Sequence, residues 1–124
     1  MKFLCLCHYE TAAFAQLGPD DFAEIGAICA PHDAALKASG QVNMIGSLGS
    51  PDTYRTLRVA SGTVVDEAGP YSETPEPFGA FFIVDAVDID QAIAIAKLHP
   101  GTNLGDKFGR GGIEIRPIDT LEML

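Results

Sequence analysis

Two short segments of this 124-residue chain carry apolar side chains at consecutive positions, and they constrain its fold most. Residues 2–9 read KFLCLCHY, and residues 79–85 read GAFFIVD. Each run is too short for a buried helix and is bounded by polar or turn-forming residues, so both predict β-strands. Because side chains alternate between the two faces of a strand, both faces of these strands are apolar. A sheet that contains them needs apolar cover on both sides.

Two segments with helical periodicity supply part of that cover. The first is predicted over residues 19–39, with proline and acidic residues in its first turn and Gly40 as its cap. Pro31 predicts a kink or a broken turn inside it. The second begins after Asp88, a capping residue, and ends before Pro100. The apolar stripe of the first helix consists of Phe22, Ile25, Cys29, His32 and Leu36.

The order of the elements predicts an α+β fold. Residues 42–48 and 113–118 form two further strands, and residues 53–59 and 63–66 form a hairpin. Without that inserted hairpin the order is βαββαβ, the ferredoxin-like arrangement of an antiparallel sheet with two helices on one face. Residues 1–124 are predicted to form a single domain. Because the helices cover one face only, a second copy is predicted to cover the other, giving a homodimer with a dimeric α/β-barrel arrangement.

Charge and composition exclude several classes of partner. The chain has 8 Lys and Arg against 17 Asp and Glu, a net charge of −9, and its basic residues are scattered. Nucleic acids need a basic stripe, so we expect no nucleic-acid partner. No run approaches the roughly 18 apolar residues of a membrane helix, so we expect a cytoplasmic protein without a membrane partner. The odd number of cysteines, all in apolar segments, indicates buried reduced thiols: Cys5, Cys7 and Cys29.

A polar loop precedes the second apolar strand. Residues 67–74 read EAGPYSET, so a Gly-Pro turn is followed within four residues by hydroxyl and carboxylate groups. Loops of this kind carry binding sites, and we predict a small-molecule pocket here. Arg116, which follows Glu114 on the last strand, is either an anion clamp or a structural ion pair. The predicted ligand-binding residues are Gly69, Pro70, Tyr71, Ser72, Thr74 and Arg116.

The order of these motifs resembles that of the YCII-related proteins of the DGPF type. The run GPYSET is followed by a spacer, the aromatic strand, Asp-Ile-Asp at a helix start and the terminal strand EIRPI. Within the family motif Gly69, Pro70, Glu73 and Thr74 match, while Ala68 replaces the motif aspartate. Whether Glu67 or Asp66 takes over from that aspartate stays open.

The resemblance implies a βαββαβ core that pairs as a homodimer through its sheets. It also implies two functions of different classes. One is an acid–base enzyme of the lyase or dehalogenase-like kind, and the other is a non-catalytic ligand-binding or regulatory module linked to alternative sigma factors. The residues leave open whether the chain is an enzyme.

His32 and Glu73 are the predicted catalytic pair. His32 lies on the inner stripe of the first helix, and a carboxylate beside an imidazole would fix its tautomer and raise its basicity. The alternatives are a core histidine with one hydrogen bond and a Glu73 that pairs with Arg58 or Arg116. No cofactor is predicted.

No metal is predicted either. The three cysteines and His32 could in principle meet as four soft ligands, yet their spacing lacks the turn geometry of zinc knuckles. Residues 109–112, GRGG, are predicted to form a flexible turn, because they precede a strand instead of the helix that a phosphate loop needs.

Overall fold

The computed structural model describes residues 1–108 and 110–124. Three short 3₁₀ turns occur at Pro51–Thr53, Pro100–Thr102 and Asp106–Phe108. The predicted turn at 109–112 includes Gly109, which lies outside the described residues, and its last two residues belong to a strand. The strands and helices are β1 (Lys2–Tyr9), α1 (Thr11–Ala15), α2 (Pro19–Ala38), β2 (Val42–Ser47), β3 (Arg55–Ala60), β4 (Thr63–Ala68), β5 (Phe78–Asp85), α3 (Ile89–Ala96) and β6 (Gly111–Pro117).

The strands form two antiparallel sheets. The four-stranded sheet has the order β2-β5-β1-β6, and β3 pairs with β4 in a separate hairpin. Cys5 at the centre of β1 faces Phe82 of β5 on one side and Ile115 of β6 on the other. Without the hairpin the connection is βαββαβ, which is consistent with a ferredoxin-like fold. The predicted mixed α+β fold with antiparallel strands is therefore confirmed.

The core lies between the large sheet and its helices. α3 contributes Ala92, Ile95 and Ala96, and α2 contributes Leu36. Two of these three α3 side chains are alanines, so Ile95 is the one large side chain of α3 among the buried core residues. The largest side chains without solvent exposure are Phe3, Phe82, Leu36, Val84 and Cys5.

The start of α3 follows the predicted capping pattern. The Gln91 N–H donates to Asp88 Oδ1 at 2.8 Å, and the Val87 N–H donates to Gln91 Oε1 at 2.8 Å. Two backbone N–H groups that have no partner inside the helix are satisfied in this way.

α2 is one continuous helix through Pro31, so of the predicted kink or broken turn the broken turn does not occur. Its predicted inner stripe is also less buried than expected, since Leu36 is fully buried and Phe22 is 52% exposed. The other stripe residues, Ile25, Cys29 and His32, are half-buried.

One helix, α1, lies between the first predicted strand and the first predicted helix, where no element is predicted. α1 is five residues long and has neither a capping side chain nor an acidic residue in its first turn. It places Phe14 against Tyr9, with ring centroids 5.4 Å apart. This contact matters for the site described below.

The sheet face opposite the core is apolar, as the two-faced strands predict. Leu4 pairs with Ile83, and Leu6 pairs with Phe81. The Phe81 ring lies across Gly46, where a Cβ would collide with it. Within the described chain, no helix is long and apolar enough to cross a membrane.

Candidate functional site

A recess of about 830 Å³ lies at one end of the sheet, where β1, β5 and β6 meet the loop before β6. This volume lies within the range of small-molecule sites. Its apolar and aromatic walls include Tyr9, Phe14, Leu48, Leu104 and Phe108. Its polar lining includes Cys7, His8, Glu76, Thr102, Asp106 and Arg110.

Tyr9 forms one wall because Gly79 leaves room for its ring. A Cβ on Gly79 would lie 2.6 Å from Tyr9 Cε1, closer than real Cβ atoms come to a neighbour. The Tyr9 ring meets Phe14 edge to face. Burial raises the pKa of Tyr9, and Tyr54 and Asp52 raise it further. Tyr9 is therefore a neutral wall residue.

His8 is oriented by the backbone of the loop that enters β5. The Tyr9 N–H donates to the Pro77 carbonyl at 3.0 Å, which holds this loop against the end of β1. The Glu76 carbonyl then lies 2.8 Å from His8 Nδ1. A carbonyl only accepts, so Nδ1 carries the proton and Nε2 keeps its lone pair. The ring packs edge to face on Phe78 at 5.8 Å.

His8 also lines a second recess of about 590 Å³. Both recesses include Glu76 and Gly112, so they adjoin at the end of β1. The second one is completed by Thr74, Ile113 and Glu114. His8 is thus the one histidine among the described residues that lines either recess.

His99 has the opposite tautomer. The Gly101 N–H donates to His99 Nδ1 at 2.9 Å, so the ring proton is on Nε2. That nitrogen lies 3.7 Å from Cys7 Sγ. The ring stacks on Phe82 at 4.8 Å, and burial lowers the pKa of His99. His99 is therefore a neutral, fixed donor.

The charges around the recesses disfavour anionic ligands. Glu76 and Asp106 line the first recess, and Glu76 and Glu114 line the second. The basic side chain at the first recess, Arg110, donates to Glu10 at 3.2 Å. Its positive charge is partly neutralised by that ion pair.

The Gly-Pro loop is fixed to the hairpin by backbone contacts. Gly69 has a φ of +100°, and its N–H donates to the Tyr54 carbonyl at 2.7 Å. The Thr56 hydroxyl donates to the Gly69 carbonyl at 2.8 Å. Arg58 donates to the Tyr71 carbonyl at 2.9 Å and lies 4.4 Å from the centre of its ring. These contacts give the turn a structural role.

Of the other predicted ligand-binding residues, one lines a recess, one forms an ion pair and two lie in the loop away from both recesses. Thr74 lines the second recess and accepts a hydrogen bond from the Glu76 N–H at 3.2 Å. Arg116 forms an ion pair with Glu114, the structural alternative. Pro70 and Ser72 lie in the loop and line neither recess, within the described residues.

The structure does not bring His32 and Glu73 together. His32 is half-buried on α2, and Glu73 is exposed in the loop. Within residues 1–108 and 110–124, no hydrogen bond joins His32 to Glu73 or Glu67, and neither His32 nor Glu73 lines a recess. The catalytic pairing of His32 with Glu73 stays a prediction without a contact to support it.

The two carboxylates considered as replacements for the motif aspartate are in ion pairs on the hairpin. Glu67 accepts from Arg58 at 3.1 Å, and Asp66 accepts from Arg55 at 2.8 Å. In the part of the chain that the structure describes, no group of three or more His, Cys, Asp or Glu could hold a metal ion.

His8 and His99 were missed as site residues. The sequence places His8 in the first strand, and its position where the strand leaves the sheet is the one signal that could have identified it. His99 is 92 residues from Cys7, so nothing local indicates their contact.

Comparisons with known proteins give a family and two similar chains. A family model described as the YCII-related domain matches residues 1–119. The uncharacterized protein R00369 of Rhizobium meliloti (strain 1021) is 26% identical over 80 residues, which cover 64% of this chain and 61% of that protein. The match thus spans about three fifths of the relative's length.

A solved structure is also similar. It is 5-chloro-2-hydroxyhydroquinone dehydrochlorinase from Burkholderia phenoliruptrix AC1100 in complex with 2,5-dihydroxybenzoquinone. The sequence identity is 21% and the TM-score is 0.40, with 92% of this chain and 91% of the other covered.

Proposed function

The chain belongs to the YCII-related family, and we propose that it is an acid–base enzyme that acts on a small uncharged molecule, with His8 as the proton acceptor. The observation that carries this proposal is the contact of His8 Nδ1 with the Glu76 carbonyl at 2.8 Å. It leaves the lone pair of Nε2 available for a ligand proton, as general base catalysis requires.

The ligand class follows from the lining of the recess. Aromatic and aliphatic walls favour a compact ring-sized molecule, and about 830 Å³ gives it room. Acidic residues at both recesses repel carboxylates and phosphates. A small cyclic ketone fits these conditions, because the C–H beside its carbonyl is a proton that a histidine can remove.

The reaction would proceed in two balanced steps. In the first, the C–H bond next to the carbonyl breaks, a new N–H bond forms at His8 Nε2, and the electron pair moves toward the carbonyl oxygen. In the second, His8 Nε2 gives that proton, or a deuteron that has replaced it from solvent, back to the carbon, and the electron pair returns from the oxygen to form the new bond to carbon. No cofactor takes part in either step.

Exchange of these protons for deuterium tests the proposal. Cyclohexanone and other small cyclic ketones are incubated with the protein in D₂O, and loss of the proton signal beside the carbonyl is followed by NMR. We expect His8→Gln to lower the exchange rate about 10²- to 10⁴-fold, the usual contribution of a general base. His32→Gln is the matched control, since His32 is half-buried elsewhere and lines neither described recess.

The opposite pattern would contradict the proposal. If His32→Gln abolished exchange and His8→Gln left it unchanged, His32 would be the base. If both variants catalysed the exchange of ketone protons at the wild-type rate, neither histidine would be the base.

We also propose that the chain is a homodimer through the sheet face that carries Leu4, Phe81 and Ile83. This face is apolar, and apolar sheet faces of this kind mark contacts between chains. Light scattering is expected to give twice the 13.1 kDa of one chain. Ile83→Glu should shift the protein toward a monomer, whereas Leu57→Glu on the hairpin, where Leu57 is 70% exposed, should not. A wild-type mass of 13.1 kDa would contradict the dimer.

A further inference from the structure

The segment that contacts the His8 ring contains two prolines in four residues. Residues 74–77 read TPEP and lie between the Gly-Pro loop and β5. A proline restricts the residue before it to extended backbone, so both Thr74 and Glu76 have little freedom of rotation. Pro77 is buried, whereas Thr74 is exposed. The sequence of this segment therefore limits its conformations before any tertiary contact is counted.

The peptide unit between Pro75 and Glu76 has a hydrogen-bond partner for each of its polar groups. The Pro75 carbonyl accepts from the Thr11 N–H at 3.2 Å. The Glu76 N–H donates to Thr74 Oγ1 at 3.2 Å. One group of this peptide unit is thus held by the main chain that follows β1, and the other is held by a side chain two residues earlier.

The next peptide unit carries the carbonyl that orients His8. Its nitrogen belongs to Pro77 and has no proton, so the Glu76 carbonyl is its only polar group. That carbonyl lies 2.8 Å from His8 Nδ1. The Pro77 carbonyl accepts from the Tyr9 N–H at 3.0 Å. Glu76 is therefore held on its N-terminal side by Thr74 and on its C-terminal side by the contact with Tyr9.

We propose that Thr74 is a positioning residue for His8. By holding the Glu76 N–H it fixes the rotation of that residue, so the Glu76 carbonyl keeps the ring proton of His8 on Nδ1 and leaves Nε2 free. Thr74 acts through the main chain, since no hydrogen bond joins it to His8 in the part of the chain that the structure describes. This inference rests on the proposed function, in which His8 Nε2 accepts a proton from the ligand.

Two threonine hydroxyls at this segment give a matched pair of variants. Thr74→Val removes the acceptor of the Glu76 N–H and keeps the shape of the side chain. Thr11→Val removes a hydroxyl that donates to the Pro75 carbonyl at 3.4 Å, while the Thr11 N–H still donates to that carbonyl. Thr74 is exposed, so we expect Thr74→Val to fold, which circular dichroism verifies.

The first measurement is the tautomer of His8 in the protein without ligand. Long-range ¹H–¹⁵N NMR correlations of the ring at neutral pH report the ratio of Nδ1–H to Nε2–H. We expect Thr74→Val to lower this ratio about 2- to 10-fold, since a single net hydrogen bond contributes about that factor. Thr74→Ser restores an acceptor and should recover the wild-type ratio, and Thr11→Val should keep it.

The second measurement is the exchange of cyclohexanone protons in D₂O. When His8 takes up the ligand proton its ring becomes a cation, and its bond from Nδ1–H to the Glu76 carbonyl strengthens. A loosened carbonyl stabilises this cation less. We therefore expect Thr74→Val to lower kcat for exchange about 2- to 10-fold and to leave KM unchanged, because the contact strengthens only as the proton moves.

Each outcome decides one point. Equal tautomer ratios and exchange rates in wild type and Thr74→Val would overturn this role of Thr74, while loss of exchange in His8→Gln would still support the proposed enzyme. An equal change in Thr74→Val and Thr11→Val would also overturn it, because general loosening of the segment would be the cause. If the tautomer ratio changed as expected and the wild type exchanged no ketone protons, Thr74 would still orient His8 and the proposed enzyme would fail.

Discussion

Replacing Gly79 with alanine tests how the wall of the recess is built. The new Cβ would lie 2.6 Å from Tyr9 Cε1, so the Tyr9 ring must turn away. The turn removes the edge-to-face contact with Phe14, which is worth about 0.5–1.5 kcal/mol. Crowding of a side chain into a packed site costs about 1–3 kcal/mol of stability. Alanine in place of glycine also lowers the conformational entropy of the unfolded chain, which stabilises the folded protein by about 0.4–1 kcal/mol.

These contributions combine to a loss of about 0.5–4 kcal/mol, so we expect Gly79→Ala to lower the free energy of unfolding by about 2 kcal/mol. Urea denaturation followed by circular dichroism measures this change, and an unchanged m-value would show that the unfolded state is unaffected. Gly112→Ala is the matched control, because a Cβ at Gly112 meets no atom within 4 Å. It should be neutral or slightly stabilising.

A double-mutant cycle identifies Tyr9 as the cause. In a Tyr9→Ala background the ring is gone, so Gly79→Ala should cost nothing or stabilise the protein. An equal loss of stability with and without Tyr9 would refute the reasoning, because the collision would then lie elsewhere.

Three further predictions concern the core, the pH dependence and the thiols. Leu36→Ala, at a fully buried position, should cost about 2–5 kcal/mol, whereas Phe22→Ala, at a position 52% exposed, should cost under about 1 kcal/mol in the same urea assay. Burial lowers the pKa of His99 in the folded state, so the unfolded chain takes up its proton first. The free energy of unfolding should therefore fall as the pH drops below about 6.5, and His99→Gln should flatten this fall; an identical pH profile in the variant would contradict the cause. Burial raises the pKa of Cys7 to about 12, and Cys7 is buried whereas Cys29 is half-buried. Iodoacetamide at pH 8 should therefore modify Cys29 well before Cys7, which mass spectrometry of peptides would show. The reverse order would mean that burial does not protect Cys7.

The elements of the fold could be predicted because their signals are local. The bounds of β1 agree with the predicted residues 2–9, and α2 ends one residue before the predicted 39. Proline in the first turn and Asp88 as a cap are fixed by the residues next to them. α1 was not predicted, because a five-residue helix without a capping side chain has no comparable local sequence pattern.

The candidate site could not be predicted in the same way. The group that orients His8 is the backbone carbonyl of Glu76, 68 residues away, and every residue has such a carbonyl. Side-chain patterns favoured His32 and Glu73 because both are polar and lie beside recognisable motifs. The contact between Cys7 and His99 likewise depends on how α3 and its following turn pack on the sheet.

The tautomer of His8 is the most direct test of the proposed site. Long-range ¹H–¹⁵N NMR correlations of the histidine rings at neutral pH distinguish a proton on Nδ1 from one on Nε2. The geometry predicts Nδ1–H for His8 and Nε2–H for His99, with the two assignments checked by His8→Gln and His99→Gln. A His8 ring protonated at Nε2 instead would contradict the proposal, since its lone pair would then be turned away from the ligand.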